Sequence, residues 1–456
     1  MDESRHQIKE HSFKGWCLIL GSALVYFTCF GFMNSFGYFE EFYHREYLSQ
    51  YTPSTIAFIG TLQITLMYLL GGLAGGLFDA FGLKYPYMMS ALGCSGSLLA
   101  LSFTKPQRIW QQFLSQGLLF GLFVSFGIQS ALSVVGQHFK KSRALAMGVV
   151  AGGSSIGGVC FPIFFSHLIP KIGFPWSIRV AALMSIVCFT IALLISRPEP
   201  RKREPFDMRK LLDFGGFKDP KYLVLSIGCF LANLGLYVPY YYLEPFMNST
   251  KRSGSVSLAP YLLPLLNGSS FFGRIIGGYG ADKFGRLNVL FPMTTASGVL
   301  CLAIWLPSKQ PAAAVAFACL YGFTSGIFIS VTPALVGEIS PPERIGARIG
   351  AFFTITALAT LIGPPVSGKL IHKHHDSGSD FTWVIVFTGC TLSLGGLMIG
   401  SVKWMKQEQV VGEECIHQLP SEIEIQGEAR DGRTIIVHEE KQENVQDISP
   451  VNGREN

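Results

Sequence analysis

Charge is what this sequence has least of. Asp, Glu, Lys and Arg make up 14% of its 456 residues, against roughly 25% in soluble domains, which leaves too little polar surface to cover a water-soluble body of this size. That excludes most cytosolic enzymes. Cysteine supplies no framework either: nine of the ten (Cys17, Cys29, Cys94, Cys160, Cys188, Cys229, Cys301, Cys319, Cys390) fall in long apolar stretches and Cys415 in a polar tail, with no disulfide pattern and no metal-ligand spacing. A His/Glu metal constellation, a Ser/His/Asp arrangement and a phosphate-cradling loop with its lysine are missing. No enzyme, cofactor or metal is therefore expected. The first apolar stretch lacks the short core and small-residue cleavage site of a signal peptide, so it is expected to be retained as a helix. The net charge of +6 would suit a nucleic acid if it were evenly spread. It is not, because residues 406–456 carry 12 acids and 5 bases, leaving that tail at −7 and the rest of the chain at +13.

What is present is apolar: 49% of residues are hydrophobic and the mean hydropathy is +0.36. Twelve stretches contain no Asp, Glu, Lys or Arg: 15–39, 47–78, 85–104, 109–139, 144–170, 180–196, 222–243, 253–273, 287–308, 310–337, 349–368 and 381–402. A bilayer core needs about 17 to 25 such residues per helix, and surface helices of a soluble fold need a polar face. The chain therefore reads as an all-α membrane protein of twelve transmembrane helices. Trp16, Trp110, Trp176, Trp305, Trp383 and Trp404 stand near predicted ends, as interfacial anchors do. An even number of spans puts both termini on one side, and the loops on that side hold 21 Lys and Arg against 9 opposite, so both termini are expected in the cytosol.

A hydrophilic connector divides the spans six and six. The expected organisation is a cytosolic segment 1–14, a six-helix bundle 15–196, a cytosolic connector 197–221, a second bundle 222–405 and a disordered acidic tail 406–456. Each half carries one copy of a short motif: Gly75-Gly-Leu-Phe-Asp79-Ala-Phe-Gly82 after the second span and Gly278-Tyr-Gly-Ala-Asp282-Lys-Phe-Gly285-Arg286 after the eighth, with the aspartates 203 residues apart. An Asp at such a helix end can accept hydrogen bonds from a neighbouring helix N-terminus. Paired with Lys283 or Arg286, it would form a conformational latch; a charged surface turn is the plain alternative.

Arg274 stands eight residues before Asp282, about 12 Å deep by helical rise. A charge at the bilayer centre costs on the order of 2.5 to 3.5 kcal/mol. A guanidinium there suits a two-point hold on a carboxylate, or it snorkels to the surface. Asn34, Gln63, Gln129, Asn233, Tyr237, Tyr240, Tyr241 and Asn267 are the neutral polar groups a ligand path would use, although interhelical hydrogen bonds explain any one of them. Gly148, Gly152, Gly153, Gly157 and Gly158 allow close packing of the fifth helix, or sliding along a partner. Arg179 and Glu244 near helix ends read as interfacial charges, and His167 as a hydrogen-bonded structural histidine.

The duplicated motif resembles the loop signature of the major facilitator superfamily; the second copy fits fully, and the first has Ala80 and Leu83 where bases are usual. His138-Phe-Lys-Lys-Ser-Arg-Ala-Leu-Ala-Met-Gly148, running on through Gly158 to Pro162, is similar to the fifth-helix signature of the monocarboxylate porter family, and Gly15-Trp16 to the end of its first signature. Asn34-Ser-Phe-Gly-Tyr-Phe and Pro341-Pro-Glu-Arg-Ile-Gly-Ala-Arg are closest to the fungal branch. The resemblance covers about 15–405. It implies two six-helix bundles rocking about a central cavity and the secondary active carriage of a small organic solute, a carboxylate or related metabolite. It places Arg274 at the family's substrate-anion arginine and Asp79, Asp282, Lys283 and Arg286 at the latch, while Asn34, Gln129, Asn233, Tyr237, Tyr241 and Asn267, as hydrogen-bonding groups within the spans, are the further candidate substrate contacts. Ser270 and Asn34 replace the aspartate and lysine of the animal lactate carriers, so a solute other than lactate is expected and the usual proton-binding pair is missing. The partners implied are the solute and the bilayer, with protons as an option and no nucleic acid. The plasma membrane is the family's default location, with the vacuole or another organelle open. Direction is open between importer and exporter of a secondary metabolite, and a transporter-like nutrient receptor is the rival reading.

Overall fold

The computed structural model describes residues 12–139, 142–196, 212–249, 258–307, 310–341, 344–374 and 378–405, together with 427–428 and 434–435. Residues 1–11, most of the expected connector and nearly all of the acidic tail lie outside the described residues. The chain divides into two compact units, Met1–Met405 and Lys406–Asn456. In the second, the described structure is one antiparallel pairing of Gly427–Glu428 with Thr434–Ile435.

The first unit is built of twelve helical rods. They are α1 (Phe13–Tyr47), α2 (Pro53–Leu69 continuing as Gly71–Phe81 after a 44° bend), α3 (Lys84–Ser102), α4 (Ile109–His138), α5 and α6 within the continuous run Arg143–Ile195, α7 (Pro220–Ser249), α8 (Ala259–Phe284), α9 (Arg286–Trp305), α10 (Pro311–Glu338), α11 (Ile345–Lys369) and α12 (Thr382–Trp404). Gly173, at φ 78°, turns the chain between α5 (143–172) and α6 (174–195); only glycine adopts that conformation without strain. Eight of these helical runs are long and apolar enough to cross a membrane, and the bent α2 makes a ninth. One of the eight is the α5–α6 run, and α3 and α8 complete the twelve. A short hairpin of His372–His374 with Gly378–Asp380 joins α11 to α12.

Local chemistry explains several starts. Ser12 caps α1 by accepting from Gly15 N at 3.3 Å, Thr52 caps α2 ahead of Pro53, and Asp219 caps α7 ahead of Pro220, accepting from Lys221 N at 3.0 Å. The tight connections, a single glycine between α5 and α6 and another (Gly285) between α8 and α9, force neighbouring rods to run antiparallel. Odd and even helices thus start on opposite faces. The face where α1 begins and α12 ends is called here the terminal face, and the other the far face.

The outside of the assembly is greasy. Leu92, Leu183, Leu194, Phe272, Leu394 and Leu397 are each more than half exposed, which is the surface expected against lipid rather than water. Five of the six tryptophans are also exposed, as anchors should be. Trp305 departs from that expectation: it is 1% exposed, stacked on Phe317 at 5.1 Å. Here a tryptophan near a helix end, the last residue of the π-helical stretch Cys301–Trp305, fills the core against Phe317 and Phe246.

The most extensive packing between the halves of the sequence is that of α5 with α8 and of α2 with α11, and α1 also meets α7. Shifting each number by six exchanges the first two pairs, as the duplicated motif leads one to expect. Two further features repeat. The helices α1 and α7 are both interrupted midway, at Ser35 and Tyr237, and α2 and α8 both end on a glycine of positive φ, Gly82 (78°) and Gly285 (94°).

Candidate functional site

The helices α1, α2, α4, α5, α7, α10 and α11 line a small cavity between them, partly open to solvent. Its walls are mostly aromatic and aliphatic: Tyr26, Phe30, Tyr68, Phe328, Phe352 and Phe353, with Gln129, Asn233 and Thr356 among its polar members. Most of these residues lie between mid-height and the terminal face along their helices, so the cavity occupies that half of the molecule. On the far face the halves are closed upon each other. Ser54 of α2 donates to the carbonyl of Pro365 on α11 at 2.9 Å and Asn248 of α7 to Glu41 of α1 at 3.1 Å, while within the second half Tyr242 of α7 donates to Pro364 O of α11 at 2.9 Å.

Arg274 is fully buried on α8. Its Nε donates to Ser270 Oγ at 3.3 Å, and Nη1 donates to the carbonyl of Ala151 at 2.6 Å and to the hydroxyl of Ser154, both on α5. Ser154 also accepts from Asn34 Nδ2 of α1 at 3.5 Å. The Arg274 guanidinium lies 5.8 Å from the centroid of the Phe30 ring and interacts electrostatically with Tyr26, Tyr68, Tyr237 and Tyr240. Its Nη2 has no hydrogen-bond partner. A buried guanidinium leaving one donor unpaired forgoes on the order of 1 to 3 kcal/mol, and a carboxylate could supply that bond.

Close approach of α5 and α8 makes the arrangement possible. A Cβ on Gly148 would collide with the Arg274 carbonyl oxygen, and one on Gly158 with the Asn267 side chain. Glycine at both positions lets the backbones meet.

The cavity takes in two of the sequence-predicted contacts, Gln129 and Asn233. Tyr237 lies one bond behind its wall, its hydroxyl 3.0 Å from that of Tyr68. Asn34 and Arg274 stand behind Ala151, a wall residue. Asn267 faces Gly158 and bonds Leu263 O at 3.0 Å. Tyr241 lies nearer the far face, 5.3 Å from the Phe36 ring, with its buried hydroxyl unpaired. Tyr26, Phe30, Tyr68 and the three further phenylalanines went unrecognised in the sequence because nothing distinguishes a wall aromatic from a core aromatic before the helices are placed. Glu40 was missed for a different reason. The charge-free stretch ends at Phe39, but α1 continues to Tyr47, which makes Glu40 an interior residue, 2% exposed.

On the terminal face, Asp282 accepts from Ala144 N at 3.2 Å and Leu145 N at 2.9 Å, the first turn of α5, and faces Arg286 at 3.6 Å. Arg286 in turn reaches Glu338 at 3.2 Å and Ala334 O at 3.1 Å on α10. Lys283 lies over its neighbour Phe284 at 5.5 Å. In the other copy, exposed Asp79 accepts from Gln137 of α4 at 3.1 Å. Nearby, Arg348 of α11 is clasped by Asp213 at 3.5 Å and Asp219 at 3.3 Å, over the ring of Tyr222. Of the remaining charged candidates, Arg179 bonds Ser102 at 3.2 Å over the Trp176 and Phe103 rings, and His167 bonds Ile163 O at 2.9 Å.

Comparison with known proteins gives a consistent result. The family model described as Major Facilitator Superfamily matches residues 18–313 and 272–414. A transporter of Aspergillus flavus, MFS transporter asaE, is 34% identical over 84% of this chain and 84% of its own. The aspyridones efflux protein apdF of Emericella nidulans is 33% identical over 86% and 78%, and the fujikurins efflux protein of Gibberella fujikuroi 33% over 85% and 83%. Among solved structures, the human organic anion transporter MFSD10 superposes with a TM-score of 0.66 at 14% identity, covering 84% of this chain and 98% of that one. The nucleoside transporter NupG gives 0.63 at 16%, covering 85% and 99%.

Proposed function

Because the chain belongs to the major facilitator superfamily and is a multi-pass membrane transporter of small organic solutes rather than an enzyme, we propose that it exports an acidic, ring-bearing metabolite across the plasma membrane. Arg274 is its anion anchor. The observation that carries this reading is the unpaired Nη2 of a fully buried arginine set behind an aromatic-walled cavity. A carboxylate or enolate would take the free donor, and a ring system would stack on Phe30, Phe352 or Phe353. The efflux names of relatives at 33% identity support the direction, and the fungal monocarboxylate porter motifs support the acidic class.

In this reading residues 15–196 and 222–405 are the two rocking bundles, both termini are cytosolic, and the terminal-side cavity marks an inward-facing form. Gln129 and Asn233 offer hydrogen bonds from the wall, and Asn34, Tyr237 and Asn267 position groups behind it. Asp282 and Arg286, with Lys283 and the Asp79 copy, hold the terminal face until the bundles turn. A proton gradient drives the export. The test is an untargeted comparison of metabolites inside and outside cells with and without the protein: an acidic ring-bearing compound should accumulate inside when the protein is deleted. Accumulation outside, or no acidic compound among those that change, would reject the proposal.

A further inference from the structure

Among the described residues, Glu40 is a buried acid left without a hydrogen-bond partner, 2% exposed and with neither carboxyl oxygen bonded. It lies just beyond the Ser35 break of α1, where α1 packs on the second segment of α7. There it faces Tyr241, whose buried hydroxyl is also unpaired, and Tyr242, whose hydroxyl is committed to Pro364 O. The titratable neighbours are few. On its own helix, Glu41 is drawn to Arg45 at 3.7 Å and accepts from Asn248. On α7, Glu244 interacts with Glu41 and Arg45. Within Pro53–Leu69 of α2 there is no charged residue, and Arg274 is the nearest cation on α8. His44 stands one turn further along α1, and neither it nor any other described cation donates a hydrogen bond to Glu40.

We propose that Glu40 is a proton-binding site that governs closure of the far face. An ionised carboxylate buried without a partner is costly, by several kcal/mol even after relaxation, and a bound proton removes the charge. The closed far face seen here thus suits the protonated form, and ionisation favours an arrangement in which α1 and α7 part and water reaches the group. Glu40 stands ten residues beyond Phe30, about 15 Å along the helix, with Phe36 and Tyr241 between it and the cavity. Its proton therefore enters and leaves by the far face alone. A proton taken up and returned on one side does no transport work, so Glu40 sets the conformational equilibrium by external pH and is separate from the coupling of export to a gradient.

The inference rests on the alternating-access reading, but its test needs no solute, so a failed export assay leaves it standing and its own failure leaves export untouched. The full chain carrying Ser54→Cys, a position buried in the far-face closure, is reconstituted and labelled from outside with a membrane-impermeant maleimide at external pH of about 5 and about 8. Rates are divided by those at Gln50→Cys, exposed on the same face, to remove the thiol's own pH dependence. The normalised rate is expected to rise about tenfold or more from the lower to the higher pH. Adding Glu40→Gln should hold it at the low value throughout, while Glu40→Asp, which keeps a titrating carboxyl, should retain the rise. A flat profile in the parent, or a rise that survives Glu40→Gln, overturns the proposal. Should Glu40→Gln fail to fold, the parent and the Asp variant decide it: a flat profile in either counts against Glu40.

Discussion

Arg274 of α8 and Ser154 of α5 are hydrogen-bonded across the middle of the molecule, and Ser154 accepts a second bond from Asn34 of α1. The guanidinium thus ties one half of the sequence to the other while keeping one donor free. Under the proposed function an anion would take that donor, so solute binding and the joint between the halves would share one side chain.

Replacing Arg274 with Ala should abolish export while the protein still reaches the membrane. Arg274→Lys keeps the charge but loses the fork and should lower the transport rate by about 10- to 100-fold, the worth of one or two charge-assisted hydrogen bonds at ~1.5 to 3 kcal/mol. Efflux from preloaded vesicles, alongside surface quantification, reads both; normal efflux in the Ala variant would end the anion-anchor assignment.

Asp282→Asn weakens the cap on the first turn of α5 and its attraction to Arg286. The loss should be ~0.5 to 2 kcal/mol and should loosen the contact between α5 and α8 at the terminal face. Proteolytic nicking at that face in detergent should speed up several-fold, whereas the exposed Asp79→Asn change should do less. Equal effects from the two would mean that the copies carry the same load.

Gly148→Val sets two methyl groups and their Cβ where the Arg274 carbonyl now sits. The strain, ~1 to 3 kcal/mol or more, should lower the midpoint of thermal unfolding in detergent and separate α5 from α8. A variant as stable as the parent would show that the two helices need not touch.

Arg348→Ala strands Asp213 and Asp219 in a half-buried pocket of carboxylates. Breaking a pair of this kind is expected to cost ~1 to 3 kcal/mol, read as a lower midpoint of thermal unfolding in detergent. A midpoint equal to the parent's would show that the two carboxylates do not depend on Arg348.

Much of this architecture was legible in the sequence, because freedom from charge over some 20 residues is a requirement of the bilayer itself. The duplicated Asp-Gly motif likewise announced the repeat, and Gly82 and Gly285 do take the backbone conformation that glycine permits. The site was less legible. Gln129 and Asn233 reach the cavity, but Asn267 and Tyr241, just as polar, lie beside α5 and near Glu40 instead, since which face of a helix points inward depends on its neighbours. The scan for uncharged stretches also hid the most telling acid: by ending a span at its first charge, it put Glu40 outside a helix that in fact runs seven residues further.

The cavity wall and the bonds of the terminal face occupy separate side chains, whereas Arg274 belongs both to the proposed site and to the joint between the halves. No residue that lines the cavity also makes the bonds of Asp282, Arg286 and Glu338 at the terminal face. Phe328, Phe352 or Phe353 could be exchanged for a smaller or more polar side chain without disturbing the moving parts. Under the proposed function, the wall can be refitted to a new solute while those terminal-face bonds stay in place.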